Sequence, residues 1–368
     1  MTVVSLICAA LLSQAATHRA SVPSFATLSA EADAARQAGK SEEAAILYRR
    51  ALRLKPEWKE GLWYLGGIEY SRDHYPACQE VMRRLVQVEP KGSPGWTMLG
   101  LCDEGAQDFP AALEHLRNGQ MLGPGGSQEI DRAAKYHLAL LFARSGAFEQ
   151  ALELYYALAK AGTPASEGLL EAAGLAALHN SATPEQLPAQ AHESAYLAGK
   201  AFWDMVSGHA VAAQQDFTLL MAKYPDLPNV HFYYGSYLLT SDPDQGLAEL
   251  EKELARSPKN VPALITAAVE HLRRGEAAKA LPLARDAVQF EPQSFAAHTV
   301  LGRVLVESGD LAKGVTELEA ARRLSPESPQ PRIALAAVYA RLGRSEEAAR
   351  ERKEFLRLKD LTKTAGER

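Results

Sequence analysis

Prolines recur every 34 residues along this chain, at Pro56, Pro90 and Pro124 and again at Pro258, Pro292 and Pro326. A fixed period of that length marks stacked supersecondary units, each with an apolar face that only a neighbour can bury. A solenoid follows. At 368 residues it escapes the size limit of a single globular core, because each unit contacts only the units beside it.

With proline as position 32, units begin near Phe25, Lys59, Ser93, Arg132, Ser194, Pro228, Val261, Phe295 and Pro329, the sixth shortened by one residue. Positions 4, 7, 8 and 11 of a unit share one face of a first helix, as in Trp96, Leu99 and Gly100. Gly39, Gly146, Gly208, Gly275, Gly309 and Gly343 fall at position 15, where a residue tolerant of positive φ lets the chain leave one helix and enter the next. The proline then ends the second helix, since it lacks a backbone donor and restricts the residue before it. Gly66, Gly100, Gly235 and Gly302 lie inside first helices, where glycine costs about 1 kcal/mol relative to alanine. Close approach of the second helix is the expected compensation, so leucine at Gly100 or Gly302 should overpack the pair by about 1–3 kcal/mol.

Residue types hold phase between the prolines, in Trp96, Leu99, Gly100, Phe109, Ala112, Gly119 and Pro124, and again in Leu301, Gly302, Gly309, Leu311, Ala321 and Pro326. In these positions the chain resembles the tetratricopeptide repeat (TPR) family. The resemblance implies an all-α fold, a right-handed superhelical solenoid of stacked helix-turn-helix repeats. It also implies a concave groove holding a peptide, lined by positions 2, 5, 9, 12 and 13 of the first helices. Here those positions supply Trp63, Tyr70, Leu101, Tyr136, Leu140, Phe202, Met205, Asn229, Phe232, Ile265 and Arg273. Such a row of aromatic and aliphatic side chains suits a partner with apolar anchors. The family's carboxylate clamp needs Lys at position 5 and Asn at 9. Ser29 and Asp33, Trp63 and Gly67, or Thr97 and Leu101 stand there instead, so a chaperone-adaptor role does not transfer.

The period breaks between Pro164 and Glu193, where the fifth unit starts 62 residues after the fourth. Leu170, Ala173, Gly174 and Ala177 still fit a first helix, but His179 to Pro188 has a loop composition where a second helix should stand. The expected organisation is an N-terminal segment 1–20, an array of about four repeats over 25–164, a degenerate repeat or linker over 165–193, an array of about five repeats over 194–361, and a tail 362–368. The last unit ends in Arg350–Lys359, read as a solubilising cap with Phe355, Leu356 and Leu358 inward. A basic docking patch is the alternative.

The N-terminal segment carries an apolar run, Val3–Leu12, followed by Ser13, Ala15 and Ala16. It is too short to span a bilayer and has the length of a signal-peptide core. Export to a periplasmic or secreted location is expected, with a cytoplasmic location as the alternative because no Lys or Arg precedes Arg19. Ile7 before Cys8 argues against a lipid anchor. Cys78 and Cys102 fall on helices that should be neighbours, which leaves a disulfide and a pair of buried thiols both open, the thiols favoured.

A net charge of −5 with interspersed signs gives no basic stripe for nucleic acid. Ala38-Gly39-Lys40-Ser41 imitates the end of a phosphate-binding loop, but Ala34 replaces its leading glycine and a helix precedes it. The histidines show no metal-ligand spacing. His115, His137, His231, His271 and His298 read as helix-surface or groove residues, and the carboxylates of Glu346, Glu347, Glu351 and Glu354 as solvated. No cofactor, metal site, catalytic residue or integral membrane span is expected. The reading is a non-catalytic scaffold of a bacterial type that binds an unidentified protein or peptide. A structural subunit of an envelope assembly or homo-oligomer is the alternative, and an accessory subunit of an enzyme the third.

Overall fold

The computed structural model describes residues 23–123 and 127–366, with side chains through 360. The N-terminal segment and Pro124 lie outside the described residues. The chain divides into two compact units between residues 126 and 127. Residues 165–193, set apart above as a break between arrays, lie inside the second unit.

The first unit holds three antiparallel helix pairs: α1 (Phe25–Gln37) with α2 (Ser41–Leu54), α3 (Lys59–Ser71) with α4 (Tyr75–Val88), and α5 (Ser93–Gly105) with α6 (Phe109–Met121). The second holds α7 (Gln128–Arg144), α8 (Phe148–Lys160), α9 (Glu167–Ala177), α10 (His192–Ser207), α11 (Ala210–Lys223), α12 (Val230–Leu238), α13 (Pro243–Arg256), α14 (Val261–Arg273), α15 (Ala277–Phe290), α16 (Phe295–Glu307), α17 (Leu311–Leu324), α18 (Pro329–Arg341) and α19 (Ser345–Gly366). Among the described residues no strand forms.

Six expected unit starts coincide with observed helix starts. The first helix of the fourth unit, α7, starts earlier, at Gln128, because Ser127 caps it through a hydrogen bond from Ile130 N, with Glu129 and Asp131 favouring its first turn. The fifth begins two residues early, at His192. The sixth begins two residues late, at Val230, after Asn229 with a φ of 63°.

All six glycines at position 15 adopt positive φ, from 72° to 89°. Gly100 and Gly302 meet their second helices as expected: a Cβ on Gly100 would lie 2.6 Å from Leu116 Cγ, and one on Gly302 2.6 Å from Leu318 Cγ. The core of the first unit runs continuously from Leu28 through Tyr48, Leu65 and Met82 to Leu99.

Cys78 of α4 and Cys102 of α5, both fully buried, are joined as a disulfide with their Cα atoms 5.8 Å apart. The two helices belong to successive pairs, so the bond ties one repeat to the next, and the reading favouring free thiols is corrected. Replacing both cysteines by alanine is expected to lower the stability of the first unit by about 2–4 kcal/mol. Urea unfolding of the variant beside the wild type, each with and without reductant, checks this: reductant should shift only the wild-type curve.

Candidate functional site

The break in the period has a definite structure. Helix α9 is a first helix of only 11 residues, nine of them buried. Its second helix is replaced by a loop carrying short 3-10 turns at Pro184–Gln186 and Ala189–Ala191. The neighbouring α10 takes over the vacant packing role and lies against both α9 and α11. Gly174 and Gly199 sit at the α9–α10 crossing, where a Cβ on either would overlap backbone atoms of the other helix.

Loss of that helix brings the C-terminal end of α9 beside the N-terminal end of α12. The Asn229 Nδ2 donates to Leu178 O at 2.8 Å, and Asn260 Nδ2 donates to Asn229 Oδ1 at 2.8 Å. His179, which follows α9 in a left-handed conformation (φ 51°), fills the slot that glycine takes after six first helices and that Asp73 and Gln107 take after α3 and α5. Its ring stacks on Phe148 at 4.7 Å between centroids and meets the edge of Phe232 at 5.1 Å.

These segments line an open cleft of about 910 Å³ in the second unit. One wall is the start of α8, with Phe148, Glu149 and Gln150 beside His179. The other is the turn into α14, with Lys259 and Asn260, and Glu291 at the rim. Asn260 caps α14 by accepting from Ala263 N, whereas Ala147 offers the first turn of α8 no side-chain acceptor. Burial between two aromatic rings pushes the His179 imidazole down to about 4, so at neutral pH the ring is uncharged, with one donor and one acceptor nitrogen. The cleft therefore combines an aromatic platform, amide groups and one cation on Lys259. Among the described residues no group of three His, Cys, Asp or Glu converges as a metal site.

Of the eleven residues expected to line a groove, Asn229 lines this cleft and Phe232 backs it through His179. The rest of the row is covered to differing degrees. Leu101, Leu140 and Phe202 are buried, and Trp63, Tyr70, Tyr136, Met205 and Ile265 are half-buried. First helices of successive pairs pack beside one another, as α3 does with α5 and α14 with α16, and so cover much of the face expected to be free. Trp63 and Tyr70 pack on the core of the first unit, and Ile265 on that of the second. Arg273 is exposed, with its guanidinium bonded to Glu270 at 2.7 and 2.8 Å.

The histidines also depart from the surface reading. His231 and His271 are buried, and His115 and His298 nearly so. His115 pairs with the fully buried Asp103 at 2.6 Å, His231 with Glu249 at 2.6 Å, and His298 with Glu317 at 2.6 Å, each tying a first helix to its second. Glu351, expected on a solvated face, is buried between Arg322 and Arg332. A buried carboxylate requires such partners. Helical spacing alone did not show it, because the cation comes from another helix.

Antiparallel helix pairs stacked in register, with interior glycines at the crossings and left-handed turns between helices, define a helix-pair repeat protein. The Tetratricopeptide repeat family model matches residues 29–77 and 299–353, one stretch in each unit, and the chain accordingly carries tetratricopeptide repeats in both. Such repeats build scaffolds for protein–protein interaction and are typically non-catalytic. No curated protein matches the chain in sequence. Among solved structures, MamA (MSR-1) is 21% identical over 46% of this chain and 98% of its own, with a TM-score of 0.38. Yeast Tom70 is 13% identical over 93% of this chain and 95% of its own, also at 0.38. The APC/C hetero-tetramer Cut9–Hcn1 is 14% identical over 91% and 79%, at 0.32. No helix among the described residues is long and apolar enough to cross a membrane.

Proposed function

We propose that the chain is a non-catalytic, extracytoplasmic scaffold that binds an extended protein segment in the cleft between the starts of α8 and α14. The observation that carries the reading is the Phe148–His179 stack standing in an open cleft beside Lys259, Gln150 and the Asn229–Asn260 amide pair. An aromatic platform receives an apolar or aromatic side chain of the segment, and the polar groups hold its main chain. The Cys78–Cys102 disulfide and the apolar run Val3–Leu12 support an oxidising compartment outside the cytoplasm.

Peptides selected from a displayed random library against the whole chain test this reading. Lys259 and Gln150 are exposed, so Lys259→Glu and Gln150→Ala should leave the fold intact. The selected peptides are expected to bind the double variant about tenfold more weakly or worse. Equal binding would remove the cleft from consideration as the ligand site.

A further inference from the structure

The Asn229 side chain is not spent where an N-cap asparagine ordinarily spends it. Asn229 stands before α12 with a φ of 63°, a left-handed conformation that Asn tolerates better than most residues. An N-cap side chain usually accepts from the first turn of its own helix, as Asn260 does for α14 by accepting from Ala263 N. Asn229 makes no such bond. The N–H of Phe232 in that turn goes instead to Oε2 of Glu253, a buried carboxylate of α13, at 3.3 Å.

Freed from its own helix, the Asn229 amide serves two others. Its Nδ2 donates to Leu178 O, one of the carbonyls that a helix end leaves without an intrahelical partner. Its Oδ1 accepts from Asn260 Nδ2, which also donates to Glu253 Oε1 at 3.2 Å. One run of hydrogen bonds therefore joins the end of α9, the starts of α12 and α14, and Glu253 of α13. In an intact pair a second helix would follow and pack on the first; here that helix is missing and the amides stand at the end of α9.

The run closes on His179. Leu178 directly precedes it, and Phe232, fixed through its N–H, meets the edge of the imidazole. On its other side the ring lies almost parallel to Phe148, at an interplanar angle of 13°. We propose that Asn229 is the positioning residue of the cleft: by tying the end of α9 to the start of α14, its amide holds His179 against Phe148 and so presents the platform to the ligand. Both ends of the amide are engaged inside the chain, so Asn229 acts through His179. The ligand's part in this rests on the cleft reading above, whereas the hold on His179 rests on the hydrogen bonds.

Two variants of the full chain test the role. Asn229→Gly keeps the left-handed backbone accessible and removes the amide. Asn260→Ser keeps an acceptor for Ala263 N and removes the donor to Asn229. NMR of the histidine ring signals follows the titration of His179, identified by the signal missing from His179→Phe. Burial in the stack lowers the wild-type ring to about 4. In Asn229→Gly the midpoint should move toward 6.5 by about one pH unit or more, a tenfold change in proton affinity, at unchanged helicity. Asn260→Ser should move it the same way by less, and carries the test alone if Asn229→Gly does not fold. Glu149, Lys259 and Glu291 of the cleft and Glu253 of α13 are present in all three chains. Peptides selected on the wild type should bind Asn229→Gly about tenfold more weakly or worse. A midpoint that stays at about 4 in the folded variants overturns the proposal, whatever the peptides do. A moved midpoint with undiminished peptide binding upholds the hold on His179 and removes the platform from the ligand site, which overturns the cleft reading instead.

Discussion

Gly199→Ala should destabilise the second unit by about 3 kcal/mol or more, the upper end of what overpacking produces. A Cβ on Gly199 would overlap the Leu170 carbonyl and approach Gly174 N to 3.0 Å, and one on Gly174 would overlap Ala195 O. The obstacles are backbone atoms of two buried helices, so no side-chain rotation relieves the clash. Separating α9 from α10 would open a region in which nine residues of α10 are buried. At Gly66 the nearest obstacle is the flexible end of Met82, and alanine there should cost far less. Gly168, also in α9, meets nothing within 4 Å, so Gly168→Ala should gain about 0.5–1 kcal/mol through the unfolded state. Urea titration followed by helicity should therefore order the midpoints as Gly168→Ala, wild type, Gly66→Ala, Gly199→Ala. A Gly199→Ala midpoint close to the wild type would mean that α9 and α10 do not cross there.

The same crossing shows how far the sequence could be read. Periodicity located nearly every helix, because proline, position-15 glycine and the position-8 glycine each answer a local need that recurs unchanged. Gly174 was legible as a position-8 glycine, but its partner was not, since the partner is Gly199 of the following unit and not a residue of the missing second helix. The cleft was illegible for a related reason. It is assembled from the starts of α8, α12 and α14 and the end of α9, which are far apart in sequence and come together only because one helix is absent. Asn229 was found because groove positions include it, while Phe148 and Lys259 lie on segments that the repeat pattern assigns to second helices and links. Leu101, Leu140 and Phe202 of the groove row are buried because helical phase distinguishes two faces of a first helix, whereas neighbouring pairs cover more than one. The buried carboxylates Glu69, Asp103 and Glu351 escaped notice because composition shows their charge and not the cations that other helices bring to them.

Acidification from pH 6.5 to 4 should weaken the second unit by about 3 kcal/mol through His179 alone. The free imidazole has a value of 6.5, and burial between Phe148 and Phe232 lowers it to about 4 in the folded chain. Between those two values the unfolded chain binds a proton that the folded chain refuses, so stability falls as pH falls. Above pH 6.5 both states are neutral at this site and the contribution is flat. Glu149, Lys259 and Glu291 line the same cleft and are present in wild type and variant alike. His179→Phe keeps an aromatic ring between Phe148 and Phe232 and removes the titration. Phenylalanine at a φ of 51° carries some strain, but that cost does not depend on pH. Every other titratable group is the same in both proteins and cancels in the difference. The measurement is unfolding free energy of wild type and variant at several pH values from 8 to 4. The difference between them should be constant above pH 6.5 and then move in favour of the variant by about 3 kcal/mol on reaching pH 4. A difference that stays flat through the window would show that the ring accepts a proton in place, and the stack at the heart of the cleft would then be open to solvent.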